Sequence, residues 1–211
     1  MNILFYLANA LLLPPAMFFS VNYYRYRGNE INYKRLLVTK TIIIVTVLVT
    51  TLQFIFPEII SALDRNKEAL FAGEEWRLIT PLFIQPMGIW QCVFNGVFML
   101  VFMPVAEHFY GRKLILIYFI AGIAGQMANF YWNKGGGGSS TAIYGVIGAL
   151  FAYVLLYRNN FPRPYTFLAI APFVGSIVLC FYQDGHAPGL LVGAVVAFIC
   201  KGKKPVIQAS T

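Results

Sequence analysis

Charge is what this chain most lacks. Only 11% of its 211 residues are Asp, Glu, Lys or Arg, against about 25% in a soluble globular domain. Hydrophobic residues make up 59% and the mean hydropathy is +0.68. A water-soluble fold of this length has no interior large enough for that much apolar surface. Period-two alternation is missing as well. The apolar stretches are continuous, which excludes the lipid-facing strands of a barrel. Acidic residues are scarcest, eight against sixteen basic ones, for a formal charge of +8. On a soluble protein that excess would point to nucleic acid. Here the basic residues fall in short clusters between apolar runs, where the positive-inside rule puts them, so no nucleic-acid partner is expected. Cysteine is limited to Cys92, Cys180 and Cys200, all within apolar segments. An odd number so placed makes neither a disulfide framework nor a spaced metal site, and they read as small buried hydrophobes. The class is an all-α integral membrane protein whose first partner is the lipid bilayer.

A membrane span needs roughly 20 apolar residues. Seven segments qualify or nearly so: Ile3–Val21, Leu36–Phe56, Gln91–Val105, Leu114–Trp132, Ser140–Tyr157, Tyr165–Tyr182 and Ala187–Cys200. The last is too short to cross unaided and is expected to stop inside the protein, lining a cavity. The first is broken by Asn9 and Pro14-Pro15 and is followed by "YYRYRGNEINYKR". It has no basic region ahead of it, so it reads as an uncleaved helix and not as a signal peptide. With the loop before Leu36 on the cytoplasmic side, twelve of the sixteen basic residues lie inside. The C-terminus is then cytoplasmic. The outer face holds the long loop 57–90, a glycine run, and "YQDGHAPG". At more than 30 residues that loop exceeds the usual 2–8-residue helix connection, and Pro81 and Pro86 suggest a structured element at the interface.

The glycine run, "KGGGGSSTAIYGVIGA" over residues 134–149, resembles a spliced-in linker. Removing it would set Lys134 beside Ser140 with no turn to open the next helix, so it is read as native. Glycines let the backbone bend and expose its amides, and a helix start has unpaired N–H groups and favours negative charge. Ser139 or Ser140 there is an N-cap or, given donors already aimed at an oxyanion, a nucleophile. His186 opens the last segment on the same outer face. Histidine within a membrane protein is costly and usually functional, and a base on a second helix is what such a serine requires. Tyr144, four residues after Ser140 and on its helix face, either braces the imidazole or packs as an ordinary aromatic. Gly145 and Gly148 against Gly189 and Gly193 are small residues that let two helices approach closely, which would bring Ser140 to His186. His108, on the cytoplasmic side, is set aside.

These residues resemble the rhomboid family of intramembrane serine proteases. "GSSTAIYGVIGA" is similar to the family's G-x-S-G, with Gly138 first and Ser140 at the nucleophile. "GHAPGLLVG" resembles H-x-x-G-x-x-x-G with His186 as the base, and "WRLITPLF" resembles the Trp-Arg motif at Trp76 and Arg77. "QCVFNGVFMLVFMPVAEHFYG" is similar to H-x-x-x-N followed by E-x-x-x-G, giving Asn95, Glu107 and Gly111. The resemblance covers about residues 36–200, in the family's order. It implies a six-helix core over 36–200, preceded by one extra N-terminal helix and basic loop (1–35) and followed by a short basic tail (201–211). It implies Ser140 and His186 as the catalytic dyad, with Asn95, Gln91 and Gly138 at the oxyanion and substrate. Tyr144, Gly145, Gly189, Trp76, Arg77 and Glu107 support them. Substrates by resemblance are transmembrane proteins, and no metal or cofactor is implied. Two positions depart from the pattern. Gln91 stands where the family has histidine, which weakens the oxyanion hole. Thr141 replaces the glycine after the nucleophile, which narrows access. No third acidic residue is expected beside the dyad. A catalytically weak or inactive family member that binds membrane clients is the alternative, and a small transporter is disfavoured by the lack of an internal repeat.

Overall fold

The structure, a computed structural model, describes residues 3–205. Residues 1–2 and 206–211, which fall in the expected N-terminal and tail regions, lie outside the described residues. Among the described residues every regular element is helical. Four stretches are long and apolar enough to cross a membrane: Ile3–Glu30, Leu37–Ile55, Ile89–Tyr131 and Arg163–Phe181. Two shorter apolar helices, Ser140–Leu156 and His186–Cys200, accompany them.

The chain starts with α1 (Ile3–Ala10) and α2 (Leu13–Arg27), separated by a break just ahead of the proline pair in the first turn of α2. Proline has no N–H to give the preceding turn, so the helix restarts there. α2 continues through Tyr23–Arg27, beyond the Val21 limit expected from hydropathy. Arg25 and Arg27 occupy its last turn, where cations complement the helix dipole. Next comes α3 (Leu37–Ile55). Its first amides, which have no partner within the helix, are met from α6 (Ile89–Tyr110): the Val38 and Thr39 N–H groups donate to the Glu107 carboxylate at 3.0 and 2.7 Å. Glu107 is 4% exposed and thus closes a helix end with a buried charge-assisted cap.

The long loop is built from α4 (Glu58–Leu63), α5 (Lys67–Phe71) and two single 3₁₀ turns, Glu75–Leu78 and Thr80–Leu82. Arg77 clamps it. Its guanidinium reaches Glu74 Oε2 at 2.6 Å, Asp64 Oδ1 at 2.8 Å and the Ser61 and Asp64 carbonyls. Trp76 is half exposed and donates weakly to the Ala62 carbonyl at 3.4 Å.

The 43-residue stretch Ile89–Tyr131 is two helices, α6 and α7 (Leu114–Tyr131), joined by the 3₁₀ turn Gly111–Lys113. Asn95 near the start of α6 and Gln126 near the end of α7 both reach residues at the start of α8 (Ser140–Leu156) or their bonded neighbours. The chain therefore reverses at Gly111, whose φ of +58° suits glycine. α8 is the axis of the molecule, with every residue from Thr141 to Val154 buried. A helix apolar all round belongs at such a place. Its 17 residues span about 25 Å, less than a ~30 Å hydrocarbon core. After α9 (Arg163–Leu168) and α10 (Ala171–Phe181), α11 (His186–Cys200) packs along α8 and α7. The α8–α11 crossing is backbone on backbone. A Cβ at Gly148 would stand 2.1 Å from the Leu190 carbonyl, and one at Gly193 2.2 Å from that of Gly145. Gly145 and Gly189 lie at the same crossing, the close approach that small residues permit.

Candidate active site

At the start of α8 the chain comes out of the glycine run, and that run is held on all sides. Arg65 donates from its backbone to the Gly136 carbonyl (2.8 Å), from Nε to Lys134 (2.6 Å) and from Nη2 to Gly135 (2.8 Å). Its Nη1 binds Gln126 Oε1. Gln91 Nε2 donates to the Gly137 carbonyl at 2.9 Å, and the Gly138 N–H donates to Pro81 at 2.7 Å. The run is a braced turn and no spacer. Gly138 has φ +138°, and a Cβ there would lie 2.3 Å from Gln91 Nε2 and 3.7 Å from Asn95 Nδ2. Only glycine fits, and the two side-chain amides converge on its open side.

Ser139 is fully buried and accepts from Gln85 Nε2 at 3.3 Å. Gln85 is itself fixed: its backbone N–H and C=O bond the Gln53 amide of α3 at 2.8 Å each, and its Oε1 accepts from Asn95 Nδ2 at 2.8 Å. Ser140, the next residue, is half-buried and faces a cavity of about 650 Å³. His186, first residue of α11, lines the same cavity. Its Nε2 stands 2.8 Å from Ser140 Oγ. The Tyr144 ring lies against the imidazole, centroids 4.6 Å apart and tilted by 36°.

Sequence reasoning expected no acidic partner, and the structure corrects that. Asp184 Oδ1 stands 2.6 Å from His186 Nδ1 and accepts the His186 backbone N–H at 2.9 Å. Burial alone raises the Asp184 carboxyl. The hydrogen bond and charge of His186, its backbone N–H and Lys134 outweigh that, leaving the group below the usual carboxylate range. An ionised Asp184 accepts a hydrogen bond from Nδ1–H, so Nε2 is the free acceptor turned to the Ser140 hydroxyl. The signal was present in "YQDGHAPG". A carboxylate bonding the N–H two residues on is an Asx turn, and Gln183 at φ +56° turns the chain into it. Arg65 was also missed: hydropathy counts it as an outer charge, whereas it is 9% exposed, and burial beside the glycine turn lowers its pKa to about 10. It stays charged at neutral pH and holds backbone carbonyls with that charge.

Gln91, Asn95, Gly138, Ser140, Thr141 and His186 all line the cavity. Trp76, Arg77, Glu107, Gly145 and Gly189 stand outside it, in the loop clamp, the α3 cap and the α8–α11 crossing. Thr141 is 4% exposed, and its Cβ lies only 2.7 Å from where a Gly125 Cβ would stand on α7. Much of its bulk is received by α7, and its hydroxyl lies 3.5 Å from Gln126 Nε2.

Such a constellation can carry acyl transfer: a hydroxyl on an imidazole, the imidazole on a carboxylate, and amide donors opposite. The Rhomboid domain family matches residues 72–203. The chain is 32% identical over 148 residues to rhomboid protease GluP of Bacillus subtilis (strain 168), covering 66% of this chain and 29% of that protein. It is 30% identical over 145 residues to YdcA of the same bacterium, covering 63% and 70%. With rhomboid-like protease 2 of Toxoplasma gondii it shares 30% over 142 residues, covering 60% and 48%. The chain thus spans less than a third of the length of GluP. More than half of the sequence, including the serine turn and the histidine helix, falls within the family match: the chain belongs to the rhomboid family.

Proposed function

We propose that this chain is an intramembrane serine endopeptidase that hydrolyses peptide bonds in or near the membrane segments of transmembrane proteins. The observation that carries the reading is the 2.8 Å contact between Ser140 Oγ and His186 Nε2 inside a cavity with amide donors. His186 accepts the Ser140 proton as Oγ attacks the scissile carbonyl carbon. The oxyanion is held by the Ser140 backbone N–H and by Asn95 Nδ2 and Gln91 Nε2, each of which has a second hydrogen beyond the bond it already makes. The imidazolium then protonates the leaving amine, and water, deprotonated by His186, releases the acyl-enzyme. Asp184 is a positioning residue. It fixes the tautomer and steadies the positive charge that His186 acquires.

The accompanying topology is seven crossings, an extra N-terminal helix (1–35) before a six-helix core (36–200). The serine turn lies on the extracytoplasmic side and the basic tail (201–211) on the cytoplasmic side. Residues 134–138, loop 57–90 and residues 183–186 converge at one end of the bundle, which supports a single catalytic face. The alternative, a weak or inactive family member that binds membrane clients, draws on Gln91, whose Nε2 already serves Gly137. Purified protein incubated with a labelled single-pass substrate separates the two. Cleavage lost in Ser140→Ala and His186→Ala supports the protease, whereas client retention without any cleavage by the wild type supports the alternative.

A further inference from the structure

Thirteen residues separate Asn95 from His108 on α6 and Ser140 from Tyr153 on α8, about 20 Å along each helix. At that far end is a second cavity of about 360 Å³. Arg27, Lys203 and Lys204 line it against a single carboxylate, Glu30, with Tyr153 and His108 between them. Glu30 is shared by Arg27 (3.6 Å), His108 (3.8 Å) and the Tyr23 hydroxyl (3.3 Å). Neither Lys203 nor Lys204 has a salt-bridge partner among the described residues.

The segment that carries the two lysines is held there through the backbone of Gly202 and Lys203. Beyond α11 the chain is strapped to the core. The Lys203 N–H donates to the Phe109 carbonyl at 2.8 Å, Tyr153 OH donates to the Lys203 carbonyl at 2.7 Å, and Tyr157 OH to that of Gly202 at 2.8 Å. Gly202 lies flat on Tyr153, where a Cβ would stand 2.8 Å from the ring. A solvated basic tail has no need of such bonds. A third cavity, about 340 Å³, shares Tyr23, Arg27 and Phe161 with the second and runs on past Tyr26 and Tyr165 to Phe19. Phe19 lies eight residues before Arg27, about 12 Å deeper along α2. The combined site is cationic at its mouth and aromatic along its length.

We infer that this is a binding site for an anionic phospholipid. The headgroup phosphate sits among Arg27, Lys203 and Lys204, and the upper acyl chain lies along Phe19, Tyr26 and Tyr165. Basic clefts between helices at the membrane edge recognise lipid headgroups by this chemistry. The aromatic extension selects a lipid over a free phosphate. The lipid would bridge the N-terminal helix to the core through the C-terminal strap. The inference rests on embedding in a bilayer and not on peptide hydrolysis, so either can fail alone.

Native mass spectrometry of the detergent-purified full chain tests it, with dioleoyl phosphatidylglycerol, dioleoyl phosphatidylcholine and sodium phosphate as probes. The wild type should retain phosphatidylglycerol about a hundredfold better than phosphatidylcholine. Each cation removed should cost about fivefold, so Lys204→Gln loses that much and the triple change Arg27→Gln/Lys203→Gln/Lys204→Gln abolishes the preference. Lys203→Arg/Lys204→Arg keeps it, which separates charge from folding. Equal phosphatidylglycerol retention by the wild type and Lys204→Gln would overturn the site. Sodium phosphate displacing the lipid at equal concentration would overturn the lipid assignment.

Discussion

At the scale of single residues the site depends on two short loops that set side chains against each other. Asp184 meets His186 only because a left-handed Gln183 and an Asx turn fold the carboxylate back by two residues. Asp184→Asn should lower kcat at least tenfold on a single-pass substrate, within the ~10⁴ ceiling seen when a triad Asp is so changed elsewhere. A loss under twofold would mean that serine and histidine suffice. The same carboxylate predicts a pH effect. Its folded pKa is depressed, so its stabilisation is complete above the unfolded value near ~3.9 and is lost as pH falls through the lower folded value. Thermal melts should show a wild type–Asp184→Asn gap that is constant above pH ~4 and shrinks below it. Gly138→Ala drives a Cβ to within 2.3 Å of Gln91 Nε2, so it should displace that donor and cost on the order of 10² in kcat. Gly138→Ala/Gln91→Ala should then be no worse than Gly138→Ala alone, because both changes remove one interaction. Gln91→His should raise the cleavage rate if the amide is a weak donor, and an unchanged or lower rate counts against that idea. The serine, the histidine and their flanking amides were legible in the sequence because each sits in a spaced motif. Asp184 and Arg65 were not, since their partners are set by loop geometry that no periodicity encodes.

At the scale of elements, the separation of α8 and α11 sets the distance between Ser140 and His186. Gly148→Ala would put a methyl 2.1 Å from the Leu190 carbonyl and force the helices about an ångström apart. A misplacement of that size costs about 10²-fold in rate, and overpacking costs about 1–3 kcal/mol. Cleavage and melting should fall together, and a normal rate would show that the crossing does not position the dyad. Glu107 works the other way. Glu107→Ala strips two buried N–H groups of α3 of their acceptor, so it should destabilise by about 1–3 kcal/mol while leaving the Ser140–His186 contact intact. Hydropathy placed every apolar segment but stopped α6 at Val105 where it runs to Tyr110, read α9 and α10 as one span, and ended α2 early, because Tyr and Arg at a helix end read as loop when dipole and packing make them helix. The small-residue spacings foretold the α8–α11 contact, whereas the partner of α3 depended on a single carboxylate on another element.

Over the whole molecule, polar groups collect at two opposite ends of an apolar bundle. One end holds the braced glycine turn and the serine site, the other the basic strap, and α8 runs buried between them. Composition alone excludes a soluble fold, and the order of motifs fixes the family, but neither tells whether the serine is reactive. The most direct measurement is labelling of the detergent-purified chain with a fluorophosphonate probe, followed by mass-spectrometric location of the adduct. One adduct is expected, on Ser140, absent in Ser140→Ala and strongly reduced in His186→Ala. An unlabelled wild type, or labelling that persists undiminished in His186→Ala, would contradict it.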